Sequence, residues 1–244
     1  MHWDFLLILI FIAVAAPWLG RRRIRRLLEG PSTTHKQRIA LYVSTVIFQW
    51  MFTGIVLWRS EARHIPLARL GISVPSALLV TAASALLGGA VLVNQILSIQ
   101  HIGKRPAELH GTLGQMALKV FPQDLSERVM FVPLIITAAV CEEFVFRGFI
   151  QRIFQDWSGG LVVVGIAGSS ALFAAAHLYQ GRRGVVSTFL AGCLFASVRA
   201  WTGSLLPGIC AHFIADIVAG MLAPSRVRSA LASSEDTVGV QGAS

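Results

Sequence analysis

The sequence predicts an all-α fold: a polytopic bundle of about seven transmembrane helices, within a range of six to eight. Three observations predict it. Of 244 residues, 55% are hydrophobic and only 14% are charged, against about 25% charged in ordinary soluble domains. Apolar runs near the roughly 20 residues that a spanning helix needs recur along the chain. The basic residues cluster at the ends of those runs, as membrane-flanking charges do.

In order, the runs are residues 3–19, 39–58, 74–99, 129–150, 160–178, 184–200 and 204–223. The first precedes Arg21, Arg22, Arg23, Arg25 and Arg26. A signal peptide carries its positive charge before its apolar core, so this order reads as an uncleaved anchor with its N-terminus outside. Between the third and fourth runs, Leu109, Leu113, Met116, Ala117 and Val120 share one face of a helix. Residues 106–121 therefore read as a helix lying in the cytoplasmic interface. The fourth run is interrupted by charge and the sixth is short. After Pro224 the chain is small and polar, the composition of a disordered tail. The expected organisation is a three-span region with its interfacial helix (1–128), a helical core (129–223) and a cytoplasmic tail (224–244).

The net charge of +9 follows topology. On this reading, 15 of the 21 Lys and Arg fall on the inner side, which the positive-inside rule requires. No basic stripe interleaved with aromatics covers a soluble domain, so nucleic acid is excluded as a partner. The expected partner is the lipid bilayer, with the cell membrane as location. Cys141, Cys193 and Cys210 are too few and too scattered for a disulfide framework or a CxxC site. They read as small buried side chains. Ser84 with Gly88, Ala85 with Gly89, and Gly165 with Ser169 have the small-xxx-small spacing of close helix contacts.

The chemistry is concentrated in Cys141-Glu142-Glu143-Phe144-Val145-Phe146-Arg147. A charge near a bilayer centre costs roughly 2.5–3.5 kcal/mol on insertion scales, so three in six residues must be paired or used. Glu143 and Arg147 are four apart and share a helix face. Glu142 is turned about 100° away, leaving it a free carboxylate able to polarise water as a general base. His177 closes the fifth run. His212 and Asp216, one turn apart in the seventh, share a face that must point into the bundle. A carboxylate, two imidazoles and an acidic partner can activate water at a divalent metal such as zinc, with Glu142, His177, His212 and Asp216 as candidate ligands. They can also do so without a metal. No HExxH or GxSxG occurs, against an ordinary zincin or a serine hydrolase elbow.

Glu-Glu-x-x-x-Arg, Phe-x-x-x-His and His-x-x-x-Asp on three separate spans resemble the CPBP family. That family comprises CAAX proteases and bacteriocin-processing or self-immunity proteins (also called ABI), with the type II CAAX prenyl endopeptidases among them. The resemblance extends through Phe146-Arg147-Gly148-Phe149 and Thr202-Gly203-Ser204-Leu205-Leu206-Pro207. It implies an intramembrane endopeptidase acting on peptide or protein substrates, lipidated ones included. It also implies that Glu142 activates water, that Glu143 and Arg147 support it, and that His177 and His212 stabilise an oxyanion or hold a metal. Asp216 stands where the family most often has asparagine. An ionised aspartate cannot donate to an oxyanion, which favours metal binding or histidine orientation. A non-enzymatic immunity or scaffold protein and a proton-coupled transporter are the alternatives in other classes.

One mismatch is visible in the sequence. Glu142 falls about 14 residues, or some 20 Å, from the inner end of its run, whereas His177 falls near the inner end of its own. A misplaced boundary, a broken helix or a deep aqueous cavity would reconcile them.

Overall fold

Residues 3–102 and 111–241 are described by the computed structural model. Among them the chain forms helices joined by short turns, and no strand. We number the helices α1 (Trp3–Glu29), α2 (His35–Ala62), α3 (Ala77–Ile102), α4 (Thr112–Lys119), α5 (Leu125–Trp157), α6 (Val162–Ala176), α7 (Gly181–Thr202) and α8 (Leu206–Gln241). Single 3-10 turns occur at Leu67–Leu70 and Leu178–Gln180.

Among the described residues, six helices are long and apolar enough to cross a membrane: α1, α2, α3, α5, α7 with its preceding turn, and α8. The expected fifth span is corrected. Helix α6 has 15 residues, a rise of about 22 Å, short of the ~30 Å hydrocarbon core. Large apolar side chains such as Leu78, Leu86 and Ile47 point outward, the lipid-facing pattern.

Local sequence sets the helix ends. Thr34 and Gln37 form a capping box at the start of α2, satisfying two otherwise orphaned N–H groups. Asp124 caps α5 by accepting from the Glu127 N–H at 2.9 Å. That N–H, then Ser126, hold the Asp124 carboxyl well below its ordinary value, at about 2. Pro17 lacks an N–H, and the turn before it widens into a π turn at Phe11–Ala15.

Polar contacts define two ends of the bundle. At one, Arg59 of α2 and Arg63 just beyond its end pair with Asp4 of α1, Ser73 donates to the Gly203 carbonyl and Arg199 to the Arg69 carbonyl. At the other, Arg38 pairs with the buried Glu127 at 2.8 Å, and Lys119 donates to the carbonyls of Leu28 and Gly30. Helix α1 thus starts at the first end, while α8 runs from the first end to the second.

Two peripheral expectations change. Residues 103–110 lie outside the described part, so the first half of the expected interfacial helix does too. The second half is α4, and its apolar face is covered by protein. Met116 and Val120 pack with Tyr42 and Phe131, and Ala117 packs with Ala223 and Val227. The tail expected to be disordered from Pro224 is helical to Gln241, because Val227 is fully buried beneath α4. Of the cysteines, Cys141 is buried, Cys193 half-buried and Cys210 exposed.

Close packing is uneven along the small-residue stripes. A Cβ on Gly88 would meet Ile214, and one on Gly165 would meet Gln155, whereas one on Gly89 would meet nothing within 4 Å. The tightest approach is Gly220, where a Cβ would fall 2.2 Å from the buried Phe131 ring. Gly220→Ala is therefore expected to melt below the wild type. Overpacking costs about 1–3 kcal/mol, more than the roughly 1 kcal/mol of helix propensity that alanine adds. Gly89→Ala should melt at or above the wild type; thermal unfolding in detergent checks both.

Candidate active site

The site forms where three helices reach the same depth. Glu142 precedes Trp157, the last residue of α5, by 15 residues, and His177 follows Val162, the first residue of α6, by 15. The two helices flank one tight turn and run antiparallel, so Glu142 and His177 sit level. This resolves the depth mismatch: α6 is a short arm that stops inside the bundle. A second constraint places α8. Leu205 donates its N–H to the Gly71 carbonyl at 3.0 Å. A Cβ on Gly148 would meet the Leu70 carbonyl at 2.8 Å and the Leu205 side chain. This junction sets Leu205 level with Gly148. His212 lies seven residues beyond Leu205 and Glu142 six before Gly148, so they too come together.

Helix α5 is not regular here. Residues Glu143–Ile150 form a π-helical stretch, all of it buried, and such widened turns occur frequently at functional sites. Within it Glu143 Oε1 accepts from Arg147 at 3.0 Å, as the four-residue spacing predicts. The Arg147 guanidinium lies 4.0 Å from the Phe173 ring centroid and 5.6 Å from that of Phe195. A cation over aromatic faces is attracted by the ring quadrupole, which lets a fully buried arginine persist with one ionic partner.

Glu143 also serves His212. Its Oε1 accepts from His212 Nδ1 at 3.1 Å, which fixes the proton on that nitrogen and turns Nε2 toward Glu142. His177 is oriented the same way: Nδ1 donates to the Phe173 carbonyl at 2.8 Å, again leaving Nε2 for the interior. Each Nε2 lies 3.9 Å from Glu142 Oε2. Asp216 Oδ2 lies 3.6 Å from the same His212 Nε2. The aspartate therefore faces Nε2 of His212, while Nδ1 is held by Glu143. All six residues singled out in the sequence lie in this one cluster.

Two contributors were not found from the sequence. Gln49 of α2 donates from Nε2 to Glu142 Oε1 at 2.7 Å. Its signal was available: an amide between Phe48 and Trp50 in an apolar run must find a partner or pay for desolvation. Gly208 of α8 lies against Glu143, where a Cβ would sit 2.8 Å from Oε2. Gly208→Ala is expected to push that carboxylate off His212. Displacements near 1 Å can cost up to about 10²-fold in rate, so turnover should fall 10- to 100-fold in a protein that still folds. Rate assays beside helix content by circular dichroism check this.

Glu142 and His177 open on a cavity of about 350 Å³. Its walls come from α1, α2 and α5, with Phe11, Phe48, Phe52 and Phe146 supplying much of the apolar surface, and Arg23 lying on its rim side toward the second end of the bundle. The turn at Leu178–Gln180 borders it through Tyr179, in keeping with the rule that irregular backbone at depth lines a cavity.

The candidate metal ligands can be tested against the geometry. Zinc with bonds of about 2.0–2.1 Å holds neighbouring tetrahedral donors roughly 3.4 Å apart. The imidazole nitrogens here stand 3.9 Å from Glu142. Among the described residues, three ligand atoms lie within 4.8 Å of one another only at His35, Asp124 and Glu127. The cluster around Glu142 thus does not close round one ion as placed. At the other set, the Arg38 guanidinium already pairs with Glu127, a contact that opposes a second cation.

Comparison with known proteins agrees with the motifs. Residues 124–218 match the model of a protease family, Type II CAAX prenyl endopeptidase Rce1-like. No curated protein and no solved structure matches the chain. The match spans α5, α6, α7 and the first part of α8; α1 to α4 lie outside it.

Proposed function

We propose, from the match of residues 124–218 to the Rce1-like type II CAAX prenyl endopeptidase model, that this chain is an intramembrane endopeptidase working by glutamate-activated water. The observation that carries the mechanism is Glu142 Oε2. It is buried, without a hydrogen-bond partner among the described residues, and faces two Nε2 atoms at 3.9 Å. That separation is too long for a direct hydrogen bond and suits one bridging water.

In the reaction, Glu142 takes a proton from the bridging water, and the oxygen attacks the carbonyl carbon of the peptide bond. The C=O electron pair moves onto oxygen. His177 and His212 in their imidazolium forms donate from Nε2 to that oxyanion, each already holding a proton on Nδ1. An imidazolium at His212 also brings three carboxylates (Glu142, Glu143, Asp216) and one guanidinium (Arg147) closer to neutrality. Collapse breaks the C–N bond, and Glu142 returns its proton to the leaving nitrogen. Asp216, a carboxylate beside His212 Nε2, supports the imidazolium rather than the oxyanion.

The substrate class is a peptide segment lying in or beside the bilayer, because the apolar cavity leads to Glu142 through α1 and α2. The apolar, aromatic walls support lipid-modified chain ends within that class. The test is cleavage of a vesicle-tethered peptide by reconstituted protein, wild type beside Glu142→Gln. Equal rates would sink the mechanism.

A further inference from the structure

We infer that Gln49, on α2 and outside the family-matched residues, both positions Glu142 and binds a backbone N–H of the substrate beside the bond being cut. The inference rests on the endopeptidase reading and deepens it.

A primary amide offers two donor protons and a carbonyl acceptor. Only its Nε2 can donate to the Glu142 carboxylate, at 2.7 Å, so its Oε1 must point elsewhere. That Oε1 is buried and has no hydrogen-bond partner among the described residues, and Gln49 lies in the cavity wall. Holding Glu142 needs only the donor. The acceptor is left in the space a peptide must enter for Glu142 to reach it, and the group a peptide brings there is its N–H.

The next turn of α2 repeats the pattern. Thr53 is also in the cavity wall, and its buried Oγ1 meets the Cys141 thiol, a weak partner, and no stronger one among the described residues. Four residues of helix rise about 6 Å. Groups on the same edge of an extended strand recur every two residues, about 6.6–6.8 Å. Gln49 and Thr53 are therefore spaced to meet successive backbone groups along one edge of an extended peptide lying beside α2. The amide also orders the base: with Oε1 of Glu142 engaged, Oε2 is the oxygen left for water.

The experiment uses the full chain in vesicles with Gln49→Met, which keeps length but removes donor and acceptor. Trp50→Phe is the comparison variant, since Trp50 makes a separate α2–α5 hydrogen bond, to Thr137 at 3.0 Å. Substrates are the cleaved peptide and a series with one amide replaced by an ester at each position within three residues of the cut. The expected result for Gln49→Met is a kcat loss of at least about tenfold, with Trp50→Phe within about twofold. One ester should slow the wild type roughly five- to tenfold, the weight of a single hydrogen bond, and this penalty should vanish in Gln49→Met, as a double-mutant cycle reads coupling. An ester penalty equal in both proteins overturns the substrate contact. Equal losses in Gln49→Met and Trp50→Phe reduce Gln49 to helix packing and overturn the proposal. If the wild type cuts no peptide, the endopeptidase reading fails by itself. Infrared difference spectra then still decide the positioning role: the Glu142 carboxylate band, identified by its loss in Glu142→Gln, must shift in Gln49→Met, and an unmoved band overturns it.

Discussion

Glu142→Gln is expected to lower the cleavage rate by about 10²–10⁴-fold, the usual contribution of a positioned general base, with the fold intact. Glutamine preserves the shape of the side chain and an oxygen to accept from Gln49, but it cannot take a proton from water. The neighbouring carboxylate is poorly placed to substitute: Glu143 Oε1 is engaged by Arg147 and His212, and its Oε2 lies against Gly208. KM should change little, since Glu142 acts on water rather than on binding. Removal of one oxyanion donor, as in His177→Ala, is expected to cost about 10²–10³-fold. Single-turnover cleavage in vesicles, with melting temperature alongside, separates lost chemistry from lost structure.

The largest effect on stability is expected at Arg147. Arg147→Ala would leave the buried Glu143 without its guanidinium partner and would open a void against Phe173 and Phe195. Breaking a buried pair by removing one partner typically costs about 3–5 kcal/mol. Lysine should not restore it: its compact ammonium lacks the planar group that lies over two rings. The paired change Arg147→Met with Glu143→Gln removes both charges, and replacing a buried pair whole is often nearly neutral. That double variant should melt close to the wild type while staying impaired in turnover, since His212 would lose a carboxylate partner on Nδ1. Thermal unfolding of the three variants in one detergent distinguishes these outcomes; a stable Arg147→Ala protein would contradict the account.

The candidate cluster was legible because membranes make polar residues conspicuous. Glu142, Glu143, Arg147, His177, His212 and Asp216 stood out against apolar runs, and helical spacing alone paired Glu143 with Arg147 and separated Glu142 from both. Spacing within one helix could not show that Glu143 also reaches His212, 69 residues away. Nor could it tell which nitrogen of His212 would face which carboxylate: it offered Asp216 as a metal-binding or orienting partner, whereas Nδ1 of His212 meets Glu143. Gln49 was passed over because an uncharged amide hardly changes a hydropathy window. Gly208 was passed over because the lack of a side chain matters only beside something specific.

The sequence by itself determined the solvent, the secondary structure and the chemistry. Apolar length demanded membrane helices, caps such as Thr34 fixed where one began, and the cost of charge in lipid marked the residues worth placing. The tertiary structure alone decided their depth and their partners. Residues 160–178 look spanning by composition, yet α6 stops after 15 residues, since a turn at His177 is acceptable only where neighbouring helices and a cavity surround it. Pro224 looks like the end of order, yet α8 continues because Val227 finds cover under α4. Hydropathy measures what a segment would gain from lipid, whereas helix ends and pairings follow from what the rest of the chain presents beside it.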